Sequence, residues 1–303
     1  MPSRTTQQRG AAGVAPTVPR ILLCWLALAC LLLTGCHPDL FAAARQSRQQ
    51  AALVEIFPDP QAQALAIAAE HGDAREVTRL MREEGVDPDA IFSSPKGRIP
   101  LLAWPIITGN PEGLRAMLEA GADPNVKRLF PSDRGERYQP NAMVWAAQQP
   151  DPIYLRILLD HGGDPDTRNA NDEALLFHAY INGNQWRNVQ LLVERGADVN
   201  ADVSVGRTIL NVYASRGAFE TAYWLLERGA DPSREYDEQR APVAKADSHA
   251  IEAIFWHPGD PEAPDWQIKC QAVLLARGYE RPPIPEHYRA MRERLGLAVA
   301  KND

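Results

Sequence analysis

A glycine-centred tripeptide recurs along the chain, each time after a short leucine-rich segment. Gly-Ala-Asp occupies 121–123, 196–198 and 229–231, and variants of it occupy 85–87 and 162–164. The successive glycines are separated by 36, 41, 34 and 33 residues. A period of roughly 33 residues with two helical segments in each unit is typical of a stacked solenoid. We therefore predict a fold that presents an extended surface to a partner and lacks a deep catalytic pocket.

Each unit combines a short apolar helix, a connecting turn and a second, amphipathic helix. In one second helix, Leu114, Met117 and Leu118 recur at the i, i+3 and i+4 spacing of a single helical face. Gly121 and Gly229 follow such helices directly, and glycine adopts the left-handed conformation that ends a helix more readily than other residues do. The pattern also predicts that the paired leucines of two later units are buried between repeats: Leu191, Leu192, Leu225 and Leu226.

The end of the second helix resembles the ankyrin repeat. Residues 191–200, which read LLVERGADVN, are similar to the characteristic ending of that repeat. Its first-helix signature, Thr-Pro-Leu-His, is reduced here to Thr208, with Asn211 in the place of the histidine. The resemblance covers residues 59–235 and implies an all-α ankyrin-repeat solenoid of five to six helix-turn-helix units with helical caps. It further implies a protein that binds a protein partner and is not an enzyme.

The N-terminus has the pattern of a secretory signal peptide. An uninterrupted apolar run, Ile21 to Leu33, follows a segment whose only charged residues are basic. The run is too short for a membrane-spanning helix, which needs about 20 apolar residues. We therefore predict that residues 1–35 are a signal peptide, with the n-region charges supplied by Arg4, Arg9 and Arg20.

The predicted signal peptide ends in Leu33-Thr34-Gly35-Cys36, which resembles a bacterial lipobox. The resemblance implies cleavage before Cys36 and lipidation of that cysteine, so that the membrane is reached through the lipid anchor only. His37 follows where aspartate would signal retention in the inner membrane. This resemblance implies a protein in the bacterial periplasm, attached to the inner leaflet of the outer membrane. The alternative interpretation is an ordinary signal peptide followed by a chance cysteine.

Four regions follow from these patterns. They are the signal peptide (1–35), a lipidated tether with an N-terminal capping helix (36–58), the ankyrin repeats (59–235), and a degenerate sixth repeat with a C-terminal cap (236–303). The sequence leaves the oligomeric state open.

The charge and the motif content of the chain exclude several classes of function. The chain has 32 basic and 39 acidic side chains, and removing residues 1–35 takes away three arginines, which leaves 29 against 39 and a formal charge of −10. Nucleic-acid binding calls for a basic surface, so we exclude it. The sequence carries none of the common hydrolase, phosphate-loop or metal motifs, and we predict no catalytic residues, no metal and no cofactor. Cys270 is predicted to be a buried thiol.

The resemblance also implies a location for the partner-binding residues. Ankyrin proteins bind partners with the fingers before each first helix and with the exposed end of that helix, which here implies Gln149, Asn182, Arg207 and Arg216. The 41-residue spacing adds an enlarged finger, and a long loop on a rigid scaffold is a common binding element. Since aromatic and arginine side chains are enriched in binding hot spots, we assign its contacts to Phe130, Arg134, Arg137 and Tyr138.

A narrower hypothesis rests on the start of the first repeat. Asp59 to Asp73 is similar to the start of ankyrin lipoproteins found beside type VI secretion phospholipase effectors. That resemblance implies an immunity protein that neutralises a secreted lipase effector. Two alternatives remain open: an envelope or oxidative-stress scaffold, and an enzyme with an unrecognised site in residues 236–303.

Overall fold

The computed structural model describes residues 53–94, 97–127, 129–132, 135–138, 141–169, 171–203, 207–234, 250–259, 263–297 and 299. All of these except Leu53 belong to the unit Val54–Asp303. The predicted signal peptide, Cys36 and Arg134 lie outside the described residues.

The helices of the described residues form successive pairs. The pairs are α1 (Pro60–His71) with α2 (Ala74–Thr78), α3 (Trp104–Thr108) with α4 (Pro111–Ala120), α5 (Ala142–Ala147) with α6 (Ile153–Asp160), α7 (Leu175–Ile181) with α8 (Trp186–Glu194), α9 (Ile209–Ala214) with α10 (Phe219–Glu227), and α11 (Ala250–Trp256) with α12 (Pro264–Ala276). A π-helical turn, Arg79–Glu83, extends α2; a 3-10 turn, Leu101–Ala103, precedes α3; and α13 (Glu286–Arg294) follows the last pair.

The pairs stack into two rows. The first helix of a pair packs against the next first helix, as α1 does on α3, α3 on α5, α5 on α7, and α9 on α11. The second helices form the other row, with α2 on α4, α4 on α6, and α10 on α12. The predicted all-α solenoid of helix pairs is therefore confirmed.

A glycine in the left-handed conformation ends the second helix, as predicted. Gly121 has φ +118° and Gly229 has φ +88°. The amide of Gly229 donates to the carbonyl of Leu226 at 3.0 Å, and that of Ala230 donates to Leu225 at 3.1 Å. These bonds satisfy carbonyls that the helix end would leave unpaired.

The four leucines predicted to lie between repeats are buried. Leu191 is 7 % exposed, and Leu192, Leu225 and Leu226 are 0 % exposed. The predicted register of the second helices is thereby confirmed.

Side chains of the inter-repeat turns tie each unit to the next. Asn125 donates through Nδ2 to the carbonyl of Gly162 at 2.8 Å and accepts from the amide of Asp164 at 2.7 Å. Asn200 makes the same two bonds, to Gly229 at 3.1 Å and Asp231 at 2.7 Å. This ladder compensates for the reduced first-helix signature, because it satisfies turn amides and carbonyls across the unit boundary.

Two β-hairpins interrupt the helical pattern. The first joins β1 (Ile91–Ser94) to β2 (Gly97–Pro100), and the second joins β3 (Leu129–Ser132) to β4 (Gly135–Tyr138), each pair antiparallel. The second hairpin is the enlarged finger. The extra length was predicted from the 41-residue glycine spacing, but the strands were not. Because each hairpin pairs its strands with each other, the insertion lengthens the unit without using backbone bonds of the helical rows.

Hydrogen bonds join the last helix pair to the fifth unit. Arg277 donates to the carbonyls of Ala230 at 3.0 Å and Leu226 at 2.6 Å. Cys270 is 0 % exposed, and its thiol lies 3.3 Å from the carbonyl of Phe219. Burial raises the pKa of the Cys270 thiol to about 12, and the prediction of a buried thiol is confirmed.

Candidate partner-binding surface

Exposed isoleucines mark the open face of the first-helix row. Ile67 on α1, Ile107 on α3 and Ile181 on α7 are 38 %, 39 % and 48 % exposed. The other sides of these helices are covered by neighbouring first helices and by the second-helix row. The open face is thus partly apolar.

The strongest feature of this face is an aromatic group on α7. Phe177, Tyr180 and Ile181 follow the i, i+3, i+4 spacing of one helical face, while His178 and Ala179 point into the core. The rings of Phe177 and Tyr180 stack with their centroids 6.3 Å apart and an interplanar angle of 23°. Neither aromatic residue was among the predicted binding residues, although their helical spacing with Ile181 is present in the sequence.

Arg216 of the following unit lies against Tyr180, and the charge of Arg207 also acts on it. The guanidinium carbon of Arg216 is 5.2 Å from the Tyr180 ring centroid, within the range of a cation–π interaction. Burial raises the pKa of Tyr180, whereas the positive charges of Arg216 and Arg207 partly counteract that rise. We call Phe177, Tyr180, Ile181, Arg207 and Arg216 the Tyr180 cluster.

Tyr213 packs against the Tyr180 ring. The two rings meet edge to face with centroids 5.2 Å apart, and Trp186 meets the Tyr213 ring in the same way at 5.5 Å. The Tyr213 hydroxyl donates to Oδ1 of Asn184 at 2.7 Å, and burial raises the pKa of Tyr213 well above its usual value. The Tyr180 ring is therefore packed against Tyr213 and Arg216, and such contacts restrict the conformations that its side chain can adopt.

Three of the predicted binding residues lie at or next to the Tyr180 cluster. Arg207 and Arg216 belong to it, and Asn182 is exposed one residue after Ile181, with its Nδ2 donating to the carbonyl of His178 at 2.9 Å. The side chain of Gln149 donates through Nε2 to the carbonyl of Trp145 at 3.3 Å. Its backbone carbonyl accepts from Nδ2 of Asn188 at 2.7 Å and so joins two units. The binding role of Gln149 stays a prediction.

The remaining predicted binding residues belong to the enlarged finger. Phe130 pairs with Arg137, and Leu129 pairs with Tyr138, across the β3–β4 hairpin. Arg134 lies in the part of the turn outside the described residues. The contacts of the finger with a partner stay a prediction.

Buried histidines make the stability of the solenoid dependent on pH. Burial lowers the pKa of His178, although Glu173 nearby opposes the shift, and burial also lowers the pKa of His257. In the unfolded chain these groups regain the ordinary value of 6.5. The unfolded state then binds more protons below that pH, so stability is fully present above pH 6.5 and is lost as the pH falls through the folded pKa values.

We therefore expect the melting temperature to fall on acidification from about pH 7.5 to about pH 5. His178→Gln should make the melting temperature less sensitive to pH. The difference should be about 2–4 °C for each kcal/mol of pH-dependent stability that the substitution removes. His71→Gln, at an exposed histidine of α1, is the matched control for the substitution itself. Thermal melts followed by circular dichroism check this, and equal slopes for wild type and His178→Gln would contradict it.

Two further properties concern the described residues alone. None of their helices is long and apolar enough to cross a bilayer. They also contain no group of three or more His, Cys, Asp or Glu side chains that could hold a metal ion.

Comparison with known proteins places the repeats in a family. Residues 142–236 match the model described as ankyrin repeats (3 copies). The chain is 28% identical to Protein PhlB of Serratia liquefaciens over 189 residues, which are 62% of this chain and 77% of PhlB. It is 25% identical to ankyrin repeat and SOCS box protein 6 of Homo sapiens over 193 residues, which are 56% of this chain. That alignment spans 44% of the human protein, so the chain covers less than half of this relative.

Among solved structures, the chain is similar to the ankyrin repeat domain of Bcl-3, described as a unique member of the IkappaB protein family. The match has a TM-score of 0.51 and 24% identity, and it covers 72% of this chain and 86% of the Bcl-3 domain. At this identity the likeness defines the fold alone. The fold is an all-α ankyrin-repeat solenoid, as the sequence resemblance implied. Residues 142–236 carry ankyrin repeats, and such repeats indicate a scaffold for protein–protein interaction.

Proposed function

We propose that this protein captures a protein partner on the open face of its first-helix row while a lipid holds it at a bacterial membrane. The Tyr180 cluster is the observation that carries the binding part of the proposal. It combines a rigid tyrosine, an exposed isoleucine and two arginines, and these residue types are typical of binding hot spots.

The charges of the cluster indicate what the partner presents. Within the described residues, neither Arg207 nor Arg216 pairs with a carboxylate, although the chain as a whole is acidic. Arginine binds a carboxylate through a charge-assisted, often bidentate hydrogen bond. We therefore propose that the partner places an Asp or Glu side chain between these arginines and an apolar group against Tyr180 and Ile181.

The membrane part of the proposal rests on the Leu33-Thr34-Gly35-Cys36 pattern. Acyl chains on Cys36 would supply the anchor, since several chains bind a bilayer stably where one chain does not. The site would be the inner leaflet of the outer membrane, because His37 follows the cysteine. The proposed partner is then one that reaches the periplasm.

The anchor gives a prediction of its own. Cys36→Ser removes the thiol that accepts the lipid, so the protein should appear unprocessed or soluble after detergent-free fractionation of cells. Cys270→Ser is the control, since that thiol is buried in the repeat domain, and it should stay in the membrane fraction. Equal partitioning of wild type and Cys36→Ser would refute the lipid anchor.

We further propose that the partner is a secreted lipase effector and that this protein is its immunity protein. The similarity of Asp59 to Asp73 to type VI-associated ankyrin lipoproteins supports this, as does the alignment with a bacterial protein over most of its length. In the fold, this segment forms the first helix of the first repeat. Asp59 caps α1 by accepting from the amide of Gln61 at 3.0 Å, and Leu65 and Ala69 are 0 % exposed.

Co-expression tests the proposed immunity. A lipase effector encoded beside this gene is directed to the periplasm, and growth is followed with and without this chain. Protection by the wild type, and its loss in a Tyr180→Ala, Arg216→Ala double variant that stays folded and membrane-bound, is the expected result. Unprotected growth arrest with the wild type would exclude an immunity role against that effector.

A further inference from the structure

The turn between α7 and α8 contains one residue more than the corresponding turn of the next unit. Gly196, which ends α8, follows Gly183 by 13 residues. Gly229, which ends α10, follows Gly217 by 12 residues. Helix α10 begins two residues after Gly217, whereas α8 begins three residues after Gly183. The additional residue of the α7–α8 turn is therefore Asn184.

Asn184 has a backbone conformation that is unusual for a residue with a side chain. Its φ is 54°, and among the described residues other than glycine it shares a positive φ only with Asp172. Such residues are held in place by their surroundings, and they cluster at functional sites. Asparagine adopts the left-handed conformation more readily than most residues do, which suits it to this position. The contacts of Asn184 therefore indicate the role of the inserted residue.

Asn184 bonds to two tyrosines at once. Its amide donates to the carbonyl of Tyr180 at 2.7 Å, and its Oδ1 accepts from the hydroxyl of Tyr213 at 2.7 Å. The rings of Tyr180 and Tyr213 meet edge to face, with their centroids 5.2 Å apart. These three contacts close a triangle. Asn184 thus fixes both the backbone of Tyr180 and the ring against which the Tyr180 ring rests.

Tyr213 also departs from the repeat pattern. It lies four residues before Gly217, and the residues at the equivalent position of other units are smaller: Ala68, Pro105 and Ala179. Tyr213 is 2 % exposed, and its hydroxyl reaches across the unit boundary to Asn184. An inserted residue in one unit and an enlarged side chain in the next thus meet at one hydrogen bond beside the Tyr180 cluster.

We propose that Asn184 is a positioning residue that determines which partners the Tyr180 cluster accepts. The proposal rests on the partner-binding role proposed above for that cluster. Asn184 and Tyr213 hold the Tyr180 ring, and Arg216 lies 5.2 Å from the centroid of the same ring. The apolar part and the cationic part of the cluster therefore have a fixed separation. A partner whose apolar group and carboxylate match that separation binds without the cost of ordering the site, and a partner that does not match is rejected.

The contribution of Asn184 to binding is smaller than that of Tyr180 itself. The Trp186 ring also packs on Tyr213, with centroids 5.5 Å apart, so losing one hydrogen bond loosens the Tyr180 ring without releasing it. Removing the acceptor of Asn184 should weaken partner capture by roughly two- to tenfold, the factor that corresponds to one hydrogen bond. Tyr180→Ala removes the ring and should have the larger effect.

Two substitutions separate the side chain of Asn184 from its backbone conformation. Asn184→Gly keeps the left-handed backbone but has no acceptor for the Tyr213 hydroxyl, whereas Asn184→Asp keeps an acceptor. The full chain, labelled with carbon-13 in its tyrosine rings, is examined by NMR in detergent solution. The Tyr180 resonance is the one that is absent from Tyr180→Phe. Asn184→Gly should shift that resonance, and Asn184→Asp should leave it in place.

Partner capture is measured on the protein that the wild type retains from periplasmic extract. Asn184→Gly and Tyr213→Phe should each weaken capture by roughly two- to tenfold, and the double variant should do no more, since both remove the same hydrogen bond. Tyr279→Phe is the control, because it removes a tyrosine hydroxyl that lies 3.4 Å from Asp231, and it should capture like the wild type. Circular dichroism checks that every variant is folded.

The outcomes distinguish this inference from the proposed function. Full capture by Asn184→Gly, together with loss of capture in Tyr180→Ala, overturns the positioning role and leaves the proposed function in place. Full capture by Tyr180→Ala overturns the proposed function, and with it the selection of partners by Asn184. A Tyr180 resonance that does not move in Asn184→Gly overturns the positioning role whatever the capture assay gives.

Discussion

Truncating Leu226 to alanine is expected to lower the free energy of unfolding by about 2–5 kcal/mol. Leu226 is 0 % exposed, and its carbonyl is also bonded to Arg277 of the next unit. The substitution leaves a cavity between the second helices of two units. Because neighbouring repeats share their interfaces, the loss should spread to the units on either side.

Leu275 provides the matched control. It occupies the same register on α12 but is 56 % exposed. Leu275→Ala should change the free energy of unfolding by less than about 0.5 kcal/mol, as is usual for surface substitutions. Urea unfolding compares the two variants. Equal midpoints for wild type and Leu226→Ala would show that the assigned packing register is wrong.

Removing the Tyr180 ring is expected to weaken partner capture by about 2 kcal/mol or more, which is roughly 30-fold. Tyr180→Ala removes the anchor and leaves Arg216 without the ring on which it rests. Tyr180→Phe keeps that ring and should retain most of the affinity. Arg216→Lys keeps the charge but loses the planar fork, so it should bind more weakly than the wild type.

Arg228 is the control for a surface arginine on an aromatic ring. Its guanidinium lies 3.5 Å from the Trp224 ring centroid, but it follows α10 in the second-helix row. Arg228→Ala should bind the partner like the wild type in a quantitative pull-down from periplasmic extract. Full partner capture by a folded Tyr180→Ala variant would show that the partner does not bind on the open face.

Replacing residues 129–138 by a short Gly/Ser turn separates the enlarged finger from the Tyr180 cluster. Helicity should be preserved, because the β3–β4 hairpin bonds within itself. If the finger contributes its own hot spot, capture should fall in this variant as well as in Tyr180→Ala. If capture falls only in Tyr180→Ala, the finger is a solvated insertion that does not contribute to partner binding.

The repeat architecture could be predicted because its signals are local. A glycine after an amphipathic helix can end that helix by itself, and Gly121 and Gly229 do so in the left-handed conformation. The spacing of apolar residues fixes which side of each helix is buried, as Leu192 and Leu225 illustrate. These rules act over one helix turn, and the sequence therefore determined the helix pairs, their register and the solenoid.

Features that depend on several units at once were decided by the tertiary structure. Asn125 and Asn200 bond to turns more than a full helix pair away along the chain, and local propensity does not report such a partner. Tyr180 becomes a rigid anchor only because Tyr213 and Arg216 of the next unit are brought against it. Gln149 was predicted to contact a partner, and the structure adds that its backbone carbonyl bonds to Asn188 of the next unit.

The paired positions Leu226 and Leu275 show most directly what sequence determined and what it did not. Each is the second leucine of a Leu-Leu pair and lies three residues before a helix-ending glycine, so the local pattern predicts burial equally for both. One is fully buried and the other is more than half exposed. The helical face of a side chain is encoded locally, but its burial depends on whether another unit stacks on that face.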